Sequence, residues 1–428
     1  MSLEIVEYPV NKVEFGATTR YENAELVVNK EELRSLVLQD SCIEEAEVEL
    51  ARPGEDVRIT FLCDVVDARV KASGAGEAYP GTIGRSQAAG HGRTNVLTGL
   101  TVMAAGDIPS VFLGMRGALL DMHHPEPDSP FHHTHNLVIA FKFKTGFSDS
   151  AYHDMIQRAE LRIANHLAML TLSQEASSST VYSVDQLAPE LPRVVLVQNL
   201  RGHKDNPPHS IYGFRLKPGT FPIFVQPTEF LDGVVTTSPL SGTACYPSTW
   251  DWCNNDLIKT LCHQHGKTLN FLGAFVLVRP DESSEKELMS HRLGREVKAM
   301  GASGAIICST GYGAQLADVM GQCVALEEEG VNTVVLTLEA PPQSVDSPRL
   351  AFLVPQANAI VSIGTDDLDL EYGPARRVIG PSQIPENMNI APHIPRSPAT
   401  GPFKASSYRP IFGSLKLFGG GYDTIREY

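Results

Sequence analysis

The sequence is short of the features that mark most compartments and partners. Its seven cysteines are an odd number, scattered without paired spacing, which argues against a disulfide framework and for a reducing, cytoplasmic setting. Basic charge is scarce as well. Lys and Arg number 35 against 50 Asp and Glu, a net charge of -15. No basic run interrupts that field, so neither nucleic acid nor a membrane surface is an expected partner. The longest apolar run, NFLGAFVLV (270–278), is about half of the roughly 20 residues a spanning helix needs. The opening MSLEIVEYPV lacks a basic n-region and an apolar h-region, so no signal peptide is expected. Internal repeats and low-complexity tracts are missing too. What remains is an ordinary globular mixture, 42% apolar and 20% charged, able to bury a core. A length of 428 residues exceeds what one core usually fills, so two or three domains are expected.

Residues 1–135 read as a strand-rich N-terminal domain. AELVVN, EAEVELA and DVRITFLCDVVDARVKA alternate or run apolar, separated by turns such as RPGED. The glycine-rich stretch 71–84 carries GxG fragments, but not between a strand and a helix in dinucleotide-binding order. Residues 136–265 form a mixed α/β middle region, opened by the strand NLVIAFKFK (136–144). Its helix, 149–170, is capped by Asp149 or Ser150 and carries a stripe of Met155, Ile156, Ala159, Ile163, Leu167 and Leu170. RVVLVQNL (193–200) reads as a buried strand. From 266 to 370 strands and helices alternate. SSEKELMSHRLGREVKAMG is read as a helix with a Ser284/Glu287 capping box, and GAIICS, NTVVLTL and NAIVSIG as strands. The expected fold class is therefore α/β, a strand-rich N-terminal part followed by a parallel α/β (Rossmann-like) C-terminal domain. Residues 371–428 form a Pro/Gly-rich C-terminal extension.

Three stretches could carry chemistry. CSTGYGAQ (308–315) leads into a helix N-terminus at the carboxyl end of a strand, where N–H groups could hold a carboxylate or phosphate and Thr310 could bind substrate; a well-capped turn is the plainer reading. Residues 227–256 hold both tryptophans, Glu229, Asp232, and two cysteines, Cys245 and Cys253. Either cysteine is a candidate thiolate nucleophile or metal ligand, or else a small buried hydrophobe. The third is DMHHPEPDSPFHHTHN (121–136), with His123, His124, His132, His133 and His135, five of the chain's fourteen histidines. It reads as a metal site or as a loop that pairs imidazoles with nearby acids. If residues 132–136 open the following strand, His133 and His135 share a face, and His123, His124 or a carboxylate (Asp121, Glu126, Asp128) completes the ligand set.

These segments, taken together with others, resemble the alpha/beta subunit precursor of component B of the glycine, sarcosine and betaine reductases. FGATTRYENAELVVNKEEL (15–33), PGEDVRI (53–59), DVVDARVKASGAGEAYPG (64–81), GHGRTNVLTG (90–99), PTEFLDG (227–233), NND (254–256), HGKTLNF (265–271) and GAIICSTGYGAQLADVMGQC (304–323) run collinear with that family nearly end to end. The resemblance implies a substrate-binding enzyme subunit that works beside a second component B subunit. It implies a precursor that cleaves itself at an Asn-Cys bond, converting the new N-terminal cysteine to a pyruvoyl group. That carbonyl is the electrophile no ordinary side chain supplies. Arg93, in the Gly-Arg-Thr segment, becomes a candidate substrate-binding residue and Glu229 a candidate acid/base. The sequence departs from the family at the processing point. No Asn-Cys dipeptide occurs, and Pro239-Leu240 stands where it should, with Cys245 the next cysteine downstream. Histidines meanwhile occupy several places of the 121–136 loop. The leading expectation is an uncleaved, metal-assisted subunit using Zn or Fe to obtain electrophilic catalysis. The alternatives are a pyruvoyl subunit cleaved before Cys245 and a non-catalytic substrate-binding subunit.

Overall fold

A computed structural model describes the chain except for residues 1, 75, 109–117, 126–127, 203–206, 239–246, 310, 312, 341–347, 366–368, 385–395, 408, 415–417, 419–423 and 426–428. The protein is mixed α/β and strand-rich, built on two large sheets.

The first sheet uses β1 (Ser2–Pro9), β2 (Ile43–Ala51), β3 (Val57–Ser73), β4 (Gly92–Ala105), β5 (Ala118–Asp121), β6 (His135–Phe143) and β7 (Ser178–Ser183). Its centre is the antiparallel pair β3 and β4. Along its other edge β4 pairs with β1 through Thr98 and with β6 from Leu100 on. Gly99 makes the change of partner at φ +80°, where a Cβ would meet the Val10 carbonyl oxygen at 2.9 Å. β3 is buried over nearly its whole length, because both faces are covered. Helix α2 (Asp149–Met169), backed by α1 (Lys30–Val37), packs Ile156, Ile163 and Leu167 against Val66, Ala68 and Leu97 on one side. On the other, Ile59, Leu62 and Val65 meet Phe131, Ile379 and Phe412. Ser148, one residue earlier than expected, caps α2 by accepting the Ala151 N–H.

The second sheet contains β8 (Arg193–Leu200), β9 (Ile223–Val225), β10 (Asn270–Val278), β11 (Gly304–Cys308), β12 (Asn332–Glu339) and β13 (Ile360–Thr365), in the order β9-β10-β8-β11-β12-β13. β10, β8, β11, β12 and β13 run parallel, and β9 lies antiparallel at one edge. Short helices α3 (Pro227–Leu231), α4 (Thr249–Cys253) and α5 (Asp256–Gln264) share one core with this sheet through Phe230, Trp252 and Ile258. The crossover helices α6 (Ser283–Ala299) and α7 (Ala314–Glu328) cover the opposite face through Leu293, Val297 and Met320. The expected Ser284/Glu287 box does not form; Glu282 precedes α6 and makes no side-chain cap. Beyond residue 370 the chain returns to the first sheet, where β14 (Arg377–Ile379) pairs in parallel with β3, and residues 424–425 add a seventh, antiparallel strand to the second sheet beside β13. No helix among the described residues is long and apolar enough to cross a membrane.

Candidate functional site

The histidine-rich loop does not gather its imidazoles. Ser129 caps a 3-10 turn over Pro130–His133, and β6 begins only at His135. The turn breaks the alternation that would put His133 and His135 on one face. His132 is turned inward, where its Nδ1 accepts the Ser129 N–H at 3.2 Å, and burial pushes its pKa down to about 4. His133 is exposed beside Asp128 at 3.3 Å. His135 donates through Nε2 to the Asn11 carbonyl at 3.1 Å. His124 meets Asp121 at 3.0 Å and stacks on Tyr372, while His123 lies edge-on to it. Among the described residues no group of three His, Cys, Asp or Glu could hold a metal ion. Asp121 is committed elsewhere. It takes the Arg58 Nε–H at 2.9 Å, and the same buried guanidinium donates to the carbonyls of Gly373, Ala399 and Gly401. The loop thus fastens the C-terminal extension to β3. Glu126 lies outside the described residues.

The polar groups that do converge lie along β3. Asp67 receives Arg69 through two bonds, at 2.8 and 2.6 Å, and also the Tyr79 hydroxyl at 2.9 Å and the Asn254 amide at 3.1 Å. Burial opposes ionising Asp67, but the Arg69 guanidinium beside it holds its carboxyl below the usual range. Arg69 also donates to the Leu231 carbonyl at 2.5 Å. Two residues on, Lys71 pairs with Asp232, which further accepts the Thr94 hydroxyl at 2.5 Å and the Gly90 N–H at 2.7 Å. Burial lowers the Lys71 pKa, against the pull of Asp232.

Asp64 accepts the Thr249 N–H at 2.9 Å and its hydroxyl at 2.7 Å. Thr249 in turn accepts the Thr237 N–H at 3.0 Å. The Thr237 hydroxyl donates to the Pro247 carbonyl at 2.8 Å and accepts the Trp252 indole N–H at 2.8 Å. Gln157 of α2 donates to the Thr237 carbonyl at 2.6 Å, and His209 touches the Thr237 hydroxyl at 3.1 Å. These bonds clasp residue 237 to residues 247 and 249, forming a neck between the residues on either side of 239–246. Cys245 itself lies outside the described residues. The neck is dry. Burial, reinforced by the charge of Arg215, pushes His153 and His209 down to about 3, so both imidazoles are neutral.

The chain matches the family model for glycine/sarcosine/betaine reductase component B subunits over residues 1–391. The chain belongs to that family. It is 32% identical over 91% of its length, and 91% of the relative's, to the sarcosine reductase complex component B subunit alpha of Peptoclostridium acidaminophilum. With the glycine reductase complex component B subunits alpha and beta of the same organism it is 30% identical over 89% of each chain. With the betaine reductase complex component B subunit alpha, again from that organism, it is 28% identical over 89% and 88%. No solved structure matches.

Within this component B family member, the two segments PTEFLDG and NND dock side by side on β3, the first through Asp232 and the second through Asn254. Glu229 sits apart from the neck. It closes a capping box at α3 by accepting the Gln226 N–H at 2.8 Å, and it takes the Tyr212 hydroxyl at 2.5 Å. Together with Tyr212 it lines an open groove of about 530 Å³ whose other walls include Ile211, Phe214 and Leu216. Burial, then the Glu229 carboxylate, raises the Tyr212 phenol. Arg93 is half-exposed and pairs with Glu4 at 2.9 Å; its neighbour Thr94 is the residue that faces inward, onto Asp232. Thr310 lies outside the described residues. Cys253 is fully buried, and burial pushes its thiol up to about 12 despite Arg69 nearby, so it packs as a small hydrophobe rather than reacting as a thiolate. Sequence reasoning missed Asp64, Glu160, His153 and His209. A signal existed for two of them. His153, Gln157 and Glu160 recur at helical spacing inside the buried stripe of α2, where apolar residues belong.

Proposed function

We propose that this chain is the substrate-handling subunit of a component B-like reductase complex, acting on a small amine- or carboxylate-bearing substrate together with a second component B-like subunit. The reading is carried by the neck: Asp232, Asn254 and Thr249 dock both flanks of the 239–246 segment on one row of β3 acids and cations. Buried, perturbed ionisable groups collect at functional sites as well as in structural ion-pair networks. A pyruvoyl group made from Cys245 would supply a carbonyl electrophile. At the neck that flanks this segment the chain gathers a neutral imidazole, hydroxyls and an indole N–H on Thr237. An uncleaved, metal-assisted subunit, the form expected from the sequence, has no ligand set among the described residues. We also read the five parallel strands as a Rossmann-like unit, whose crevice lies beyond the carboxyl ends of β8 and β11.

The intact mass of the purified protein tests the proposal. Cleavage before Cys245 gives fragments of 244 and 184 residues. The complex, reconstituted with its partner subunit, is then assayed on glycine, sarcosine and betaine. A single 428-residue mass with full activity would rule out the pyruvoyl form. Activity unchanged by substitution of the neck residues would leave a subunit that only binds substrate.

A further inference from the structure

Helix α2 turns a polar rung toward β3. His153, Gln157 and Glu160 lie at i, i+4 and i+7, on one face and fully enclosed. Gln157 is used on the Thr237 carbonyl. Glu160 meets no donor among the described residues at either oxygen, and its carboxyl faces that of Asp64. Two ionised carboxylates in contact, shut off from water, would repel each other and leave the lone pairs of Glu160 unmet. One proton removes both problems, because a neutral Glu160 can donate its O–H to Asp64.

The hydrogen-bond inventory says which acid carries it. Burial raises Asp64 to about 7, but it already receives the N–H and O–H of Thr249, bonds that favour its ionised form and hold that rise in check. Glu160 has no such support, and burial together with the Asp64 charge raises it well above the ordinary carboxyl range. Among the described residues neither acid forms an ion pair with a lysine or arginine. From β3 the pair also faces the Cys63 thiol, which burial and these same two acids hold protonated, and beyond it Asp107. From α4 the contact is Thr249, and from α2 the nearest titratable neighbour on the same face is the neutral His153, two turns away.

We propose that Asp64 and Glu160 hold a single proton between them and serve as positioning residues for the neck of the 239–246 segment. With the proton in place, the charge of Asp64 is met by three side-chain and main-chain donors and its grip on Thr249 is undisturbed. Loss of the proton puts two like charges together, pulls Asp64 away from Thr249, and loosens the clasp between residues 237 and 249. The inference rests on the proposed function only in treating 239–246 as the reactive segment; the proton and the neck can be read without it.

The experiment uses the full chain. Trp250 and Trp252 are its only tryptophans, and the Trp252 indole is bonded to Thr237, so tryptophan emission reports the neck. Emission is followed from about pH 8, above the Asp64 titration at about 7, to about pH 10 in the wild type and in Glu160→Gln, whose carboxamide still donates to Asp64 but cannot ionise. The infrared carbonyl band of a protonated carboxylic acid is followed alongside. The expected result is a one-proton alkaline transition in the wild type, with the infrared band lost at the same midpoint. Glu160→Gln should lack both the transition and the band. A wild-type transition surviving in Glu160→Gln, or a wild type without the band at neutral pH, would overturn the proposal. Should Glu160→Gln fail to fold, the wild-type band decides alone. Turnover by the reconstituted complex should lose its alkaline limb in Glu160→Gln, by at least tenfold in proton concentration. Inactivity of the reconstituted wild type would sink the proposed function and leave the spectroscopic outcome to decide the proton.

Discussion

The 121–136 loop and the β3 row hold comparable numbers of ionisable groups and use them in opposite ways. In the loop, His124, His133 and His135 each turn to a different partner, His123 meets only the edge of His124 among the described ring contacts, and the shared acid Asp121 is bound to Arg58. In the row, residues as far apart as Asp64 and Thr249, or Lys71 and Asp232, come within hydrogen-bond reach. Clustering along a chain is cheap where a loop keeps side chains such as His133 and Asp128 solvated. Clustering across a fold, out of water, is expensive unless every charge is matched.

Breaking a match in the row should therefore have the largest effect. Arg69→Met leaves Asp67 buried without its cation, and denaturant unfolding should show a loss of about 3–5 kcal/mol. Thr249→Val takes the hydroxyl from Asp64 and the acceptor from the Thr237 N–H. It should cost about 1–3 kcal/mol and reduce turnover of the reconstituted complex more than stability alone accounts for.

Acid titration spans both regions. His132 is held at about 4, and His153 and His209 at about 3, in the folded protein. All three lie below the ordinary value of about 6.5, so the unfolded chain binds more protons across that interval and stability falls as pH drops from about 6.5. Unfolding free energy measured at pH 7 and pH 5 should fall by on the order of 2 kcal/mol for each buried imidazole, and His153→Gln should remove one such share. The smallest effect is expected in the loop. His133→Ala should change stability by less than about 0.5 kcal/mol, and metal analysis should show the same metal content before and after. Stoichiometric metal that disappears in His133→Ala would reverse the comparison and restore the loop as the reactive centre.

The elements were largely legible in the sequence because strands and helices are written locally. The parallel alternation after residue 266 and the stripe of α2 appear close to where periodicity places them. The histidine geometry was not legible, because one 3-10 turn at Pro130–His133 decides it and a strand pattern and a short turn look alike over four residues. The partner of Asp64 was hidden for another reason. Nothing near residue 64 points to residue 160 or 249; only the docking of α2 and α4 on β3 brings them there. Family resemblance marked PTEFLDG and NND as important without saying what they touch. The structure supplies that as Lys71 and Asp67.

Arg58 has a consequence for how the chain is made. Two of the carbonyls it binds, at Ala399 and Gly401, lie 341 and 343 residues further along, and β14 joins β3 from a similar distance. At a synthesis rate of about 5–20 residues per second, the first sheet waits on the order of tens of seconds for its last strand. During that interval a cationic side chain destined for the interior and the Val57–Ile59 edge of the longest strand stay without their C-terminal partners. The N-terminal half is thus a nascent-chain hazard, and a shortened chain ending before Arg377 should be bound by chaperones and aggregate where the whole chain stays in solution.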